Sequence, residues 1–203
     1  MSEPGPVAPP AYPADLEREI TLWDGTRLRL RPIRPDDAPR LVEHYARLSA
    51  YSAYQRFFAT MRRLPPDWAR FLAEVDYRRR LALVVERGPR EAPELIAVAR
   101  YEPTDRPDTA EVAFVVLDGW QGKGIGTALL GDLLAAAEAR GVRRFRAWVL
   151  ADNPRMLDLL DRFTDVKERK LESGVVELTF TRRPAAGIHH GHDTTTPPPT
   201  SLS

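Results

Sequence analysis

The chain has 203 residues, 43% of them hydrophobic, and a formal net charge of +1. That is enough for one domain with a sizeable core, and too balanced in charge for a general attraction to nucleic acid or membrane. It contains no cysteine, which excludes disulfides, thiolate metal ligands and a cysteine nucleophile within the chain.

No apolar run approaches the ~20 residues of a membrane span, and the Pro-rich start lacks the apolar core of a signal peptide. A cytoplasmic protein is therefore expected. All the basic residues except Lys123, Lys167 and Lys170 are arginine, a bias read as compositional. Residues 1–17 are expected to be a disordered leader and 185–203 a disordered tail, flanking a folded domain over 20–183. His189, His190 and His192 lie in that tail without a further ligand nearby, so no metal site is expected.

The folded part opens with a predicted hairpin, Ile20 to Trp23 and Thr26 to Ile33 about an Asp24-Gly25 turn, with Leu28, Leu30 and Ile33 turned inward. Asp36 or Asp37 caps a helix with apolar Ala38, Leu41, Val42, Tyr45 and Leu48. A short helix follows over Ser49 to Ala59. Asp67 is expected to cap a third, with Trp68, Phe71, Leu72 and Val75 on its apolar face. Leu81 to Glu86, Leu95 to Tyr101 and Thr109 to Leu117 read as strands. A glycine-spaced turn then leads into a helix from Thr127 to Arg140, stopped by Gly141. Phe145 to Leu150 is a strand, and Asn153-Pro154 opens a helix to about Phe163 as N-cap and N1. Asp165 to Leu171 and Val175 to Arg182 close the domain as a hairpin. This order implies an α+β fold.

The turn from Gln121 through Gly122, Lys123, Gly124, Ile125 and Gly126 to Thr127 is the chemically distinctive stretch. A glycine-rich loop opening a helix aims free backbone N–H groups at one point on the positive end of the helix dipole, which suits a phosphate. It is not a P-loop, because Gly124 stands where Ser or Thr must follow the lysine. Nor is it a dinucleotide fingerprint, because its spacing is G-x-G-x-G and Arg146 stands where an acidic residue is needed.

The run Gln121-Gly122-Lys123-Gly124-Ile125-Gly126 fits Q/R-x-x-G-x-G/A and resembles the pyrophosphate loop of the GNAT superfamily of acetyl-CoA-dependent N-acetyltransferases. Glu111 before the loop and Asp152-Asn153-Pro154-Arg155-Met156 after it fall in that family's order, over residues 27 to 182. The segments Leu48 to Phe58 and Asp76-Tyr77 make the chain similar to the catalytic domain of bacterial Pat-type protein-lysine acetyltransferases.

The resemblance implies a GNAT fold, a mixed and mostly antiparallel sheet flanked by helices. It implies acetyl-CoA as cosubstrate, with Val115, Val116, Gln121, Gly122, Lys123, Gly124, Ile125, Gly126, Thr127 and Asn153 at its site, and a main-chain N–H near Val115 or Val116 as oxyanion donor. Lys123 either touches phosphate or sits in solvent. Asn153 caps its helix, reaches the pantetheine arm, or does both. Position 160 is Leu where many relatives carry a tyrosine acid.

The implied reaction is direct acetyl transfer to an amine, foremost a protein lysine. Only about 0.04% of a lysine amine is neutral at pH 7, so a proton acceptor is needed. Glu111 is the expected base. It shares a strand face with Ala113 and Val115, and apolar neighbours would raise its pKa; the competing reading is a strand-end carboxylate paired with an arginine. A small-amine or antibiotic N-acetyltransferase and a non-catalytic acyl-CoA sensor are the alternatives.

Overall fold

The computed structural model describes residues 11–183. Eight strands form one sheet: β1 (Arg18–Thr21), β2 (Arg27–Pro32), β3 (Leu81–Arg87), β4 (Glu94–Pro103), β5 (Thr109–Val116), β6 (Arg144–Leu150), β7 (Thr164–Glu172) and β8 (Val175–Arg182). Five helices accompany them: α1 (Ala38–Ala46), α2 (Ala50–Phe57), α3 (Pro66–Ala73), α4 (Ile125–Glu138) and α5 (Pro154–Phe163). The spatial order is β1-β2-β3-β4-β5-β6-β8-β7. Every neighbouring pair is antiparallel except β5 and β6. Those two are joined through α4, the crossover that a parallel pair requires.

The two faces of the sheet are covered differently. Ala110, Val112 and Phe114 on β5, Phe145, Ala147 and Val149 on β6, and Val176, Leu178 and Phe180 on β8 are all buried, on the side where α4 and α5 pack. The same face of α4 buries Ile125, Leu129, Leu130, Leu133 and Leu134. The other side of β2 to β5 carries α1, α2 and α3: the Arg100 guanidinium donates to the Leu72 carbonyl of α3 at 3.2 Å.

Several expectations need correction. The expectation of disorder over residues 1–17 does not hold at its described end: Ala14–Leu16 form a 3-10 turn. The Tyr12 ring stacks edge-on against Tyr77 at 5.7 Å and lies under the Arg34 guanidinium, so an aromatic anchor orders this segment. Residues 1–10 and the tail, with His189, His190 and His192, lie outside the described residues.

Asp67 does not cap α3. Pro65 occupies the N-cap, and Asp67 sits inside the first turn with Arg70 as its partner. Trp68 and Phe71 are exposed, because the inward stripe of α3 is made by the small residues Ala69 and Ala73. Finally, α4 starts two residues before Thr127, because Gly124, in a left-handed conformation, serves as its N-cap.

One buried feature gave no signal in the sequence. Arg31 on β2 bonds both oxygens of Asp37, at 2.7 and 2.8 Å, and reaches Glu86 on β3 at 2.8 Å. This charged cluster ties the start of α1 to the sheet.

Candidate active site

The parallel pairing of β5 and β6 is short. Thr109, Ala110 and Glu111 pair with Arg144, Phe145 and Arg146, and the strands then part. Beyond Glu111 the inner edge of β5 has no strand partner among the described residues. Leu117 N–H donates to Ile96 O across β4 at 2.9 Å. In an antiparallel register, alternate residues turn their amides to the same neighbour, so Val115 turns toward β4 while Phe114 and Val116 aim their N–H groups into the gap.

The glycine turn stands at the head of this gap. Gly122 and Gly124 have φ of +75° and +88°, values a side chain would strain. A Cβ built on either meets nothing within 4 Å among the described residues, so no neighbour crowds the loop at these two positions. Among the described residues no side chain caps α4. Ala128 N–H donates to Gly124 O at 3.1 Å, closing the first helical turn. The N–H groups of Ile125, Gly126 and Thr127 therefore have no intrahelical acceptor. This is a cradle for an anion, set on the helix dipole. Gly126 has a second role: a Cβ there would lie 3.4 Å from Leu159 Cδ2, so it sets how closely α4 approaches α5.

The polar side chains of the loop are already engaged. Gln121 Nε2 donates to Val116 O at 3.1 Å and to Ser52 Oγ at 3.2 Å, while its Oε1 accepts from Arg155 at 3.2 Å. It thus latches the loop to β5, α2 and α5. Lys123 Nζ lies 3.6 Å from Asp24 in the β1–β2 turn and 5.1 Å from the centre of the Trp120 ring. Asn153 caps α5, its Oδ1 accepting from Met156 N–H at 3.1 Å.

Sequence reasoning missed the residues that hold α2 over the gap. The Asp118 carboxylate accepts from Ser49 N–H at 3.0 Å, Ser49 Oγ at 2.8 Å and Ser52 Oγ at 2.7 Å. Partial burial pushes its carboxyl pKa up, but these donated bonds outweigh that and hold it below the usual carboxylate range. Tyr51 donates to Asp152 O at 3.0 Å, which bridges α2 to the loop before α5. Ser49 as an N-cap was legible in principle; its partner Asp118, 69 residues away, was not.

Glu111 sits half-buried where the strands part, on the face of β5 toward α2. Among the described residues it accepts no hydrogen bond and forms no ion pair, and the charged groups on the adjoining strands are turned to other carboxylates and arginines. Glu102, its cross-strand partner, is held by Arg80 at 2.7 Å and by Arg100. Arg146 lies 3.2 Å from Glu177. The expectation of an arginine-paired carboxylate is therefore not met by contact. Burial lifts the Glu111 pKa above its ordinary value; Arg56 and Arg146 oppose the rise and Glu102 adds to it. Burial and the nearby Arg100 lower the Arg56 guanidinium on α2 to about 10, which leaves it a cation at pH 7.

A lone, half-buried carboxylate beside an open strand gap with an anion cradle at its head can bind an extended phosphorylated ligand and accept a proton near that ligand's end. The profile of the "Acetyltransferase (GNAT) family" matches residues 47–164. The chain belongs to this family.

Acetyltransferase Pat of Mycolicibacterium smegmatis is 38% identical over 158 residues, which is 77% of this chain and 46% of that protein. The chain thus spans just under half the length of that relative. The crystal structure of the GNAT domain of S. lividans PAT is 40% identical and superposes with a TM-score of 0.75, covering 84% of this chain and 99% of that one. A cAMP-binding acyltransferase from Mycobacterium smegmatis is 31% identical with a TM-score of 0.57, over 84% of this chain and 49% of its own.

Proposed function

We propose that the chain transfers an acetyl group from acetyl-CoA directly to a primary amine, with a protein lysine as acceptor and Glu111 as general base. The observation that carries this reading is the Glu111 carboxylate, without a hydrogen-bond or ion-pair partner among the described residues and raised in pKa by burial, at the point where β5 and β6 separate. The names of the Pat relatives support the acyl-transfer class. The lysine acceptor rests on the likeness to them.

The thioester substrate supplies an activated acyl group. The N–H groups of Ile125, Gly126 and Thr127, with the loop of Gly122 and Gly124, hold its pyrophosphate. Gln121 keeps that loop seated on β5 rather than touching phosphate, and Lys123 is left to the Asp24 side. The free N–H groups at Phe114 and Val116 line the path of the acyl arm, and Val116 is the better placed of the expected pair to donate to a developing oxyanion. Asn153 presents the start of α5 to the arm. Glu111 takes the proton from the incoming ammonium, directly or through a water, so that the neutral amine attacks. A thiol of pKa near 8.5 leaves as thiolate without a strong acid, which accommodates the buried Leu160 in place of a tyrosine.

Thiol release from acetyl-CoA is measured with a panel of proteins, peptides and small amines. Turnover on lysine in proteins supports the proposal. Turnover only on free amines moves the reading to a small-molecule N-acetyltransferase, and tight acetyl-CoA binding with no release from any acceptor makes the chain a sensor. Glu111→Gln should lower kcat at least ~100-fold while acetyl-CoA still binds. Unchanged turnover removes Glu111 from the mechanism.

A further inference from the structure

The sheet face that carries Glu111 continues, without a helix over it among the described residues, across β6, β8 and β7. Register ties these strands in one row: Glu111 pairs with Arg146, Arg146 with Thr179, and Thr179 with Glu168. One strand over from Glu111 a cavity of about 150 Å³ opens on this face. Its charged lining is Arg106, Arg144, Arg146 and Lys170 against Glu168 and Glu177.

The cations are under-used. Arg106 and Arg144 form no ion pair among the described residues. Arg146 Nε lies 3.2 Å from Glu177, yet its N–H is misdirected and remains buried without a hydrogen-bond partner. Lys170 meets Glu172 at 2.8 Å at the exposed rim, which leaves its ammonium further donors to offer. A buried donor without an acceptor is costly, and guanidinium groups bind carboxylates in bidentate fashion. The complement of this cavity is a carboxylate carried by a ligand.

We propose that the open face of β6, β8 and β7 docks an acidic segment of the acceptor protein, one Asp or Glu side chain entering the Arg144–Arg146–Lys170 cavity while the acceptor lysine lies at Glu111. The inference rests on the protein-lysine reading above and adds its sequence preference. Adjacent strands lie ~4.8 Å apart and an extended peptide advances ~3.3 Å per residue. The middle of the cavity is one to two strands from Glu111, so the carboxylate belongs about two or three residues from the lysine. Small-molecule amines would not reach it.

The test uses the full chain and one lysine peptide made in three forms, with Glu, Gln or Arg at the second and third positions on either side of the lysine. The Glu peptide should have a KM at least about tenfold below the Gln peptide, with the Arg peptide weakest and kcat unchanged. The double variant Arg144→Glu with Lys170→Glu should reverse that order. Arg106→Glu, a loop substitution, serves as the second variant if the double one melts early. Equal kcat/KM for the three peptides, or an order that survives in variants retaining the wild-type Tm and acetyl-CoA affinity, overturns the proposal. Fluorescence anisotropy of the labelled Glu peptide is read in parallel. Salt-sensitive binding that the charge reversals abolish, without acetyl transfer, upholds the docking face and sinks the catalytic reading instead.

Discussion

Replacing Arg31 by methionine would remove the cation from the cluster that joins β2, β3 and the start of α1. Asp37 is 0% exposed and Glu86 5%, so two carboxylates would be left in the interior. Neither would be wholly bare: Asp37 keeps the Arg34 N–H at 2.8 Å and Arg40 at 3.0 Å, and Glu86 keeps Arg29 at 3.0 Å. Breaking a buried pair from one side costs ~3–5 kcal/mol. The retained partners place this case at the lower end, about 3 kcal/mol. At ~2–4 °C per kcal/mol for a domain of this size, Tm should fall by about 6–12 °C.

The pH dependence of the same variant has a definite sign. Burial pushes the Asp37 carboxyl up, but its hydrogen bonds and the charge of Arg31 outweigh that and hold its pKa below the ordinary 3.8. A depressed carboxyl pKa contributes stability that is present above the unfolded value and is lost as pH falls through the folded one. The difference between wild type and Arg31→Met, measured by urea unfolding monitored by circular dichroism, should therefore be full at pH 7 and shrink below about pH 4. A difference under about 1 kcal/mol at pH 7, or one that grows on acidification, would refute the reasoning.

Four further outcomes are expected. The acid limb of kcat/KM should lie above pH 4.5, since Glu111 is raised from that value and must be ionised to act. Arg56→Met removes a cation that favours the ionised carboxylate, so the limb should move to higher pH; a shift downward contradicts the assignment. Gly124→Ala forces a side chain into φ +88° at a cost of about 1–2 kcal/mol. It should weaken acetyl-CoA binding more than it lowers Tm, as titration calorimetry beside thermal melts would reveal. Asp118→Ala frees Ser49 and Ser52 on α2, so KM for the acceptor should rise several-fold with acetyl-CoA affinity nearly unchanged. Equal loss of both would mean that α2 holds the cosubstrate instead.

Local chemistry made much of the molecule legible. The Asp24-Gly25 hairpin, the Asn153-Pro154 cap, the stop at Gly141 and the alternation along β5 are each decided within a few residues, by φ preferences, capping bonds and the two-residue strand period. The anion cradle is of the same kind, since Gly122 and Gly124 need only their own backbone freedom. The face of α3 was misread because a stripe of Ala69 and Ala73 carries little hydrophobic signal beside Trp68 and Phe71, while packing against α1 favours the small residues.

By itself the sequence determined the order of the elements, the glycine cradle at the head of α4 and the carboxylate ten residues before it. Register and packing decided the rest. Only the tertiary structure shows that β5 and β6 part just after Glu111, that Gln121 is a latch, that Asp118 holds α2, and that arginines 31 and 146 face carboxylates on other strands. The physical reason is distance along the chain: these partners are tens of residues apart and meet only when the sheet closes. Glu111 has no contact partner among the described residues because register turns Arg80 and Arg100 to Glu102 and Arg146 toward Glu177.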